Sequence, residues 1–210
     1  MTVALFITMT FNLFLIIDPI GCMPLFATIT KDDPPPQRRR MIVRAVLIAF
    51  IVLVLFALVG EVLLTYFGVG IPAVRIAGGI LLFTIGAEML YGRISRTETT
   101  PHEEAEAAVK PDVSVTPLAI PFLAGPGSIA AVILFAGLVK GLEGVLLLIL
   151  SLALVMIASL ILLCLTDRLV AALGQIGIRV TARLMGLILL FVAVQFVIDG
   201  LRGAGFLPRQ

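Results

Sequence analysis

A chain of 210 residues that is 60% hydrophobic and only 13% charged, with a mean hydropathy of +1.19, is too apolar to cover itself in water; soluble domains run near about 45–50% apolar and about 25% charged. The bilayer must act as solvent for most of its surface. The net charge of +2 gives no reason to expect nucleic acid, and there is neither a Cys-x-x-Cys pair nor a His-rich cluster, so no metal and no cofactor is expected.

Long apolar stretches fall at residues 3–29, 43–67, 69–92, 114–139, 144–165 and 178–201. At about 1.5 Å per residue each can cross, or nearly cross, a hydrocarbon core of about 30 Å. Unpaired backbone groups are too costly in lipid for these segments to be anything but helices, so an all-α membrane protein with six transmembrane helices is expected. The first stretch has no Lys or Arg before it and no small-x-small cleavage site after it, so it is read as a span rather than a signal peptide. Within it Asn12 can offer hydrogen bonds to a polar solute or to a neighbouring helix. Asp18 lies deep in the same span, where a carboxylate costs at least about 2.5–3.5 kcal/mol. It must face the interior, take up a proton or meet a cation, and with Pro19 and Gly21 behind it can also cap a second half-helix. Cys22 follows, and with Cys164 reads as a small buried hydrophobe. Residues 31–40, rich in Pro, Asp and Arg, form the first connection.

The third span carries Arg75 near one end and Glu88 near the other. The longest polar stretch, residues 93–112, holds the single histidine, His102, and divides the chain into a first three-helix unit (1–93), a cytoplasmic loop (94–113) and a second three-helix unit (114–210). The fourth span is interrupted by Gly125, Pro126, Gly127 and Ser128. A helix restarting there aims its free N–H groups and positive dipole end at the gap, which suits an anionic group such as an amino acid carboxylate. The sixth span carries Arg183. Arg75 and Arg183 either snorkel to the interface or act as gates and partners for Asp18, Glu88 or Asp199.

The two units repeat. Arg75, Gly78, Ile80, Leu81, Leu82 and Phe83 align with Arg183, Gly186, Ile188, Leu189, Leu190 and Phe191, and the breaks at Asp18-Pro19 and Gly125-Pro126 fall in the first helix of each unit. An odd number of crossings turns the second copy upside down, giving a 3+3 inverted repeat with broken first and fourth helices, a build typical of secondary transporters. Alternating the spans puts eleven of the 15 Lys and Arg on one side, including Arg38, Arg39, Arg40, Arg44 and Arg183; Arg75, Lys140, Arg202 and Arg209 fall on the other. That bias places the first set in the cytoplasm and both termini outside.

Residues 12–26, with the Asp18-Pro19-Ile20-Gly21 run, residues 75–83, and residues 117–128, with Pro117-Leu118-Ala119-Ile120-Pro121, closely resemble the MarC family of bacterial and archaeal inner-membrane proteins. The likeness covers essentially the whole chain. It implies a transporter of small neutral amino acids of glycine or alanine type, proton-coupled or exporting, and a similarity to the amino acid exporters of the lysine-exporter superfamily. Asp18 and Gly125, Pro126, Gly127 and Ser128 are the matching motif positions; Cys22 stands where relatives often carry Asn. A passive channel or a non-transporting membrane scaffold are the alternatives, and a homo-oligomer is compatible with the small-residue patches at Gly78, Gly79 and Gly86. No enzyme is expected: His102 lies far in sequence from Ser128, so no nucleophile and base pair up. Gly-x-x-x-x-Gly-Lys-Ser/Thr is absent, which argues against an ATP-driven machine within the chain.

Overall fold

The computed structural model describes residues 2–30, 33–92, 119–120, 122–139 and 141–208. Seven helices lie among them: α1 (Thr2–Ile17), α2 (Pro19–Ile29), α3 (Pro35–Tyr66), α4 (Ile71–Tyr91), α5 (Pro126–Leu138), α6 (Gly141–Cys164) and α7 (Thr166–Gly203). Proline occupies the first or second position of α2, α3, α4 and α5, where its missing N–H is not needed and its φ is already helical. Among the described residues five segments are long and apolar enough to cross a membrane: Val3–Pro24, Pro35–Gly60, Ile71–Tyr91, Gly141–Cys164 and Ile176–Gly203. Pro126–Leu138 is a shorter apolar helix, so of the fourth expected span only this half and the turn before it are described. The acidic loop with His102, and Lys31, Arg93, Lys110, Pro117 and Lys140, lie outside the described residues.

Two expectations are corrected. Residues 35–40 are not a connection: α3 begins at Pro35 and carries Arg38, Arg39 and Arg40 on its first turns, the prolines opening the helix instead of breaking it. Cys22 is buried as expected, but Cys164 is exposed at the end of α6. Residues 166–177, between the last two apolar stretches, are helical from Thr166, and the chain turns at Gly174, whose φ of 65° and ψ of 172° interrupt α7. A side chain would strain that conformation, and glycine takes it without cost.

α4 packs on α7 more extensively than any other two helices. The contact runs antiparallel. A Cβ on Gly200 would meet the Pro72 carbonyl at 2.9 Å, one on Gly79 the Ala193 carbonyl at 2.8 Å, and one on Gly86 the Gly186 carbonyl at 2.9 Å. Small residues thus recur every seventh position on α7 (Gly186, Ala193, Gly200) opposite Pro72, Gly79 and Gly86, which lets the backbones touch and earns dispersion energy that lipid cannot replace. On another face of α4, Gly78 meets Ala130 and Leu82 meets Gly127, both of α5. The buried core runs from Met9, Leu13, Ile17 and Phe26 through Ala49 and Leu53 of α3 to Val132 and Phe135 of α5 and Leu148, Leu152 and Val155 of α6.

One end of the bundle is tied by Arg38. Its guanidinium makes two parallel bonds to Asp167, at 2.8 and 2.9 Å. Its Nε donates to the Thr30 hydroxyl at 3.0 Å, which itself donates to the Phe26 carbonyl at 2.7 Å, and the cation lies 5.5 Å from the centre of the Phe26 ring. Asp167 is 71% exposed and Arg38 only 16%, so the outer half of this junction is screened and the inner half is not. Asp167→Asn should therefore cost under about 1 kcal/mol. Arg38→Ala, which also strips Thr30 and Phe26 of their partner, should cost about 2–3 kcal/mol. Thermal unfolding in detergent checks the pair; equal losses would mean that the exposed ion pair is the important contact.

Candidate functional site

The first helix break is built by four residues. Asp18 has φ 43° and ψ 62°, the one described non-glycine residue in the left-handed region. Its N–H still bonds the Phe14 carbonyl, closing α1, and its carbonyl accepts from Cys22 N–H, opening α2; between these two bonds Pro19 has no N–H to give, so the helical ladder is interrupted at the turn. The Gly21 N–H donates to Asp18 Oδ1 at 3.1 Å, the bond of an N-cap to the third helical residue. A Cβ at Gly21 would collide with the same carboxylate, which explains the glycine. Pro19 sets the first helical φ. Further along, Pro24 leaves the Ile20 carbonyl without its usual helical donor.

The second break is of a different kind. The Ala124 N–H reaches back five residues to the Ala119 carbonyl at 2.9 Å, a wide π-type turn of the sort often found at functional sites. Gly125 is then extended, with φ −72° and ψ 169°, and α5 starts at Pro126 with no side-chain cap. The first i to i+4 bond of α5 is Ile129 N–H to the Gly125 carbonyl at 2.9 Å, so the N–H groups of Gly127 and Ser128 precede it and point out of the helix start. Both residues are buried, Ser128 to 2% exposure. Gly127 sits against Leu82, the twelfth of the 21 residues of α4, which sets this helix start near the middle of that crossing.

The remaining sequence candidates are scattered. Asn12 donates to the Thr8 carbonyl of its own helix at 2.9 Å. Arg75 is half-buried and Arg183 is exposed, and the Arg183 guanidinium lies over Gly92 at the end of α4. Among the described residues neither arginine forms an ion pair with Asp18 or Asp199; Asp199 is held by its own helix, accepting from Gln195 at 2.8 Å and lying 3.6 Å from Arg202. Glu88 is half-buried near the end of α4. Asp18 likewise has no ion pair among the described residues. Two polar groups escaped notice in the sequence: the hydroxyls of Thr10 and Ser151, on the packed helices α1 and α6, are buried with no partner. In a membrane helix such a hydroxyl ordinarily bonds the carbonyl four residues back, as Ser159 does to Val155, so its freedom here leaves a donor available to something else. Among the described residues no cluster of His, Cys, Asp or Glu could hold a metal ion.

These two breaks occur in a chain whose residues 3–205 match the model of the MarC family integral membrane proteins. The chain belongs to the MarC family. It is 37% identical to a UPF0056 membrane protein of Methanocaldococcus jannaschii, over 91% of this chain and 84% of that one. It is 36% identical to one of Pyrococcus horikoshii, with 92% of each covered, and 31% identical to the UPF0056 membrane protein YhcE of Escherichia coli, with 91% and 89% covered. No solved structure matches it. It is a multi-pass integral membrane protein of a family found in bacteria and archaea.

Proposed function

We propose that this MarC protein is a secondary transporter of small neutral amino acids, of glycine or alanine type. The observation that carries the reading is the buried, uncapped start of α5, where the Gly127 and Ser128 amides face away from their own helix near mid-crossing. A helix start of this kind supplies two donors and a partial positive charge to a carboxylate. Asp18, without an ion pair among the described residues, is the complementary group for an ammonium or a proton. The free hydroxyls of Thr10 and Ser151 add neutral donors suited to a zwitterion. A channel needs no such fixed pair of opposite poles, and a scaffold gains nothing from interrupting two spans.

In this reading the chain is an inverted pair of three-helix units, 1–93 and 114–210, that rock about the antiparallel α4–α7 seam, with Arg75, Glu88 and Arg183 as gating groups and both termini outside the cytoplasmic membrane. Neither cofactor nor catalysis enters. Proteoliposomes loaded or diluted with radiolabelled glycine or alanine, with and without an imposed pH gradient, test it. Saturable flux with counterflow, enhanced by the gradient, is expected. Unsaturable flux points to a channel, and no flux of any small amino acid overturns the transporter.

A further inference from the structure

Two recesses on the outer face of α3 join end to end. The upper one, about 700 Å³, is walled by Pro35, Pro36, Arg39, Arg40, Val43 and Arg44. The lower one, about 240 Å³, runs between α3 and α6, with Val43, Leu47 and Phe50 on one wall, Ala153 and Ile157 on the other, and Met156 in its floor. Val43 borders both. The track is therefore basic at the end of the bundle and wholly apolar below it. From Arg39 to Phe50 it spans eleven helical steps, about 16 Å at 1.5 Å per residue, the depth of one leaflet of a core of about 30 Å. Arg39 and Arg40 are exposed and have no ion pair among the described residues, and Arg39 also lies within electrostatic reach of the Cys164 thiol, which fixes the head of the track at the junction of α3 and α6.

We propose that this track is a binding site for one anionic phospholipid, its phosphate on Arg39 and Arg40 and an acyl chain lying between α3 and α6. Charge and shape select the occupant. Guanidinium groups pair with phosphate oxygens through parallel N–H bonds, and each basic residue at a membrane surface favours an anionic headgroup. A zwitterionic lipid brings its own cation against the arginines and loses this advantage. A soluble phosphate ester has nothing to place between Leu47 and Ile157. The groove flanks α3 and α6, away from the breaks, so the site stands independently of the transport reading.

Native mass spectrometry of the full chain in detergent, titrated with phosphatidylglycerol or phosphatidylcholine of the same chain length, tests the proposal. Phosphatidylglycerol should bind at least tenfold more tightly, and Arg39→Gln with Arg40→Gln should abolish that preference while leaving unfolding temperature unchanged. Ala153→Trp, which fills the apolar groove, should weaken phosphatidylglycerol binding with both arginines intact. Glycerol phosphate should not compete. Equal affinity for the two lipids, a preference that survives the double arginine substitution, or competition by glycerol phosphate would each overturn it.

Discussion

Asp18→Asn should leave the purified protein within about 0.5 kcal/mol of its original stability while removing the pH-gradient dependence of glycine or alanine flux. Asparagine caps a helix about as well as aspartate and tolerates the left-handed backbone at φ 43°, so the bond from Gly21 and the turn between α1 and α2 both persist. What is lost is the group that can hold a proton or face an ammonium. Asp18→Ala separates the two roles from the other side. It forfeits the cap, about 0.5–2 kcal/mol, and forces a Cβ-bearing residue without a compensating side chain into the left-handed region, about 1–2 kcal/mol more. The alanine variant should therefore lose about 1.5–4 kcal/mol, read as chemical or thermal unfolding in detergent. Gly21→Ala, which drives a methyl into the carboxylate, should resemble it in stability and keep the charge. Full gradient dependence in Asp18→Asn would take coupling away from Asp18; an alanine variant as stable as the parent would take away the cap.

The first break was legible because its signal is local: a carboxylate that can cap, a proline that can start a helix, and a glycine at the position the carboxylate must reach. The left-handed backbone at Asp18 was not legible, since residue type only permits it. The spans at 69–92 and 178–201 were readable to within a few residues, at Ile71–Tyr91 and Ile176–Gly203. The start of α3 was misplaced because proline and arginine signal a loop in water, whereas a spanning helix extends beyond the hydrocarbon and carries such residues on its emergent turns. Burial was the weakest inference. Lipid is as apolar as a protein core, so an apolar neighbourhood in sequence cannot distinguish Cys22, which is buried, from Cys164, which is exposed. For the same reason the trapped hydroxyls of Thr10 and Ser151 carried no mark. The Arg38–Asp167 pair joins residues 129 positions apart, and nothing local announces it.

Gly86→Leu should be among the most damaging changes along the α4–α7 seam, with a loss of at least about 3 kcal/mol. The reason is what its side chain meets. The first added carbon would lie 2.9 Å from the Gly186 carbonyl and 3.2 Å from the Leu190 nitrogen, both backbone atoms of α7 that cannot rotate away. The helices must separate, and with no hydrophobic drive to reunite them in lipid, the dispersion contacts along the seam are lost together. Gly78→Ala is the matched control: its Cβ approaches only the Ala130 methyl, at 3.3 Å, and should cost under about 1 kcal/mol. Gly86 and Gly186 oppose each other directly, each Cβ 2.9 Å from the other's carbonyl. Their alanine variants should accordingly be strongly non-additive: once α4 and α7 have spread to admit one methyl, the second enters space already opened. The double variant should lose little more than the worse single one, and purely additive losses would show that the two glycines relieve independent contacts rather than one shared approach of the two helices.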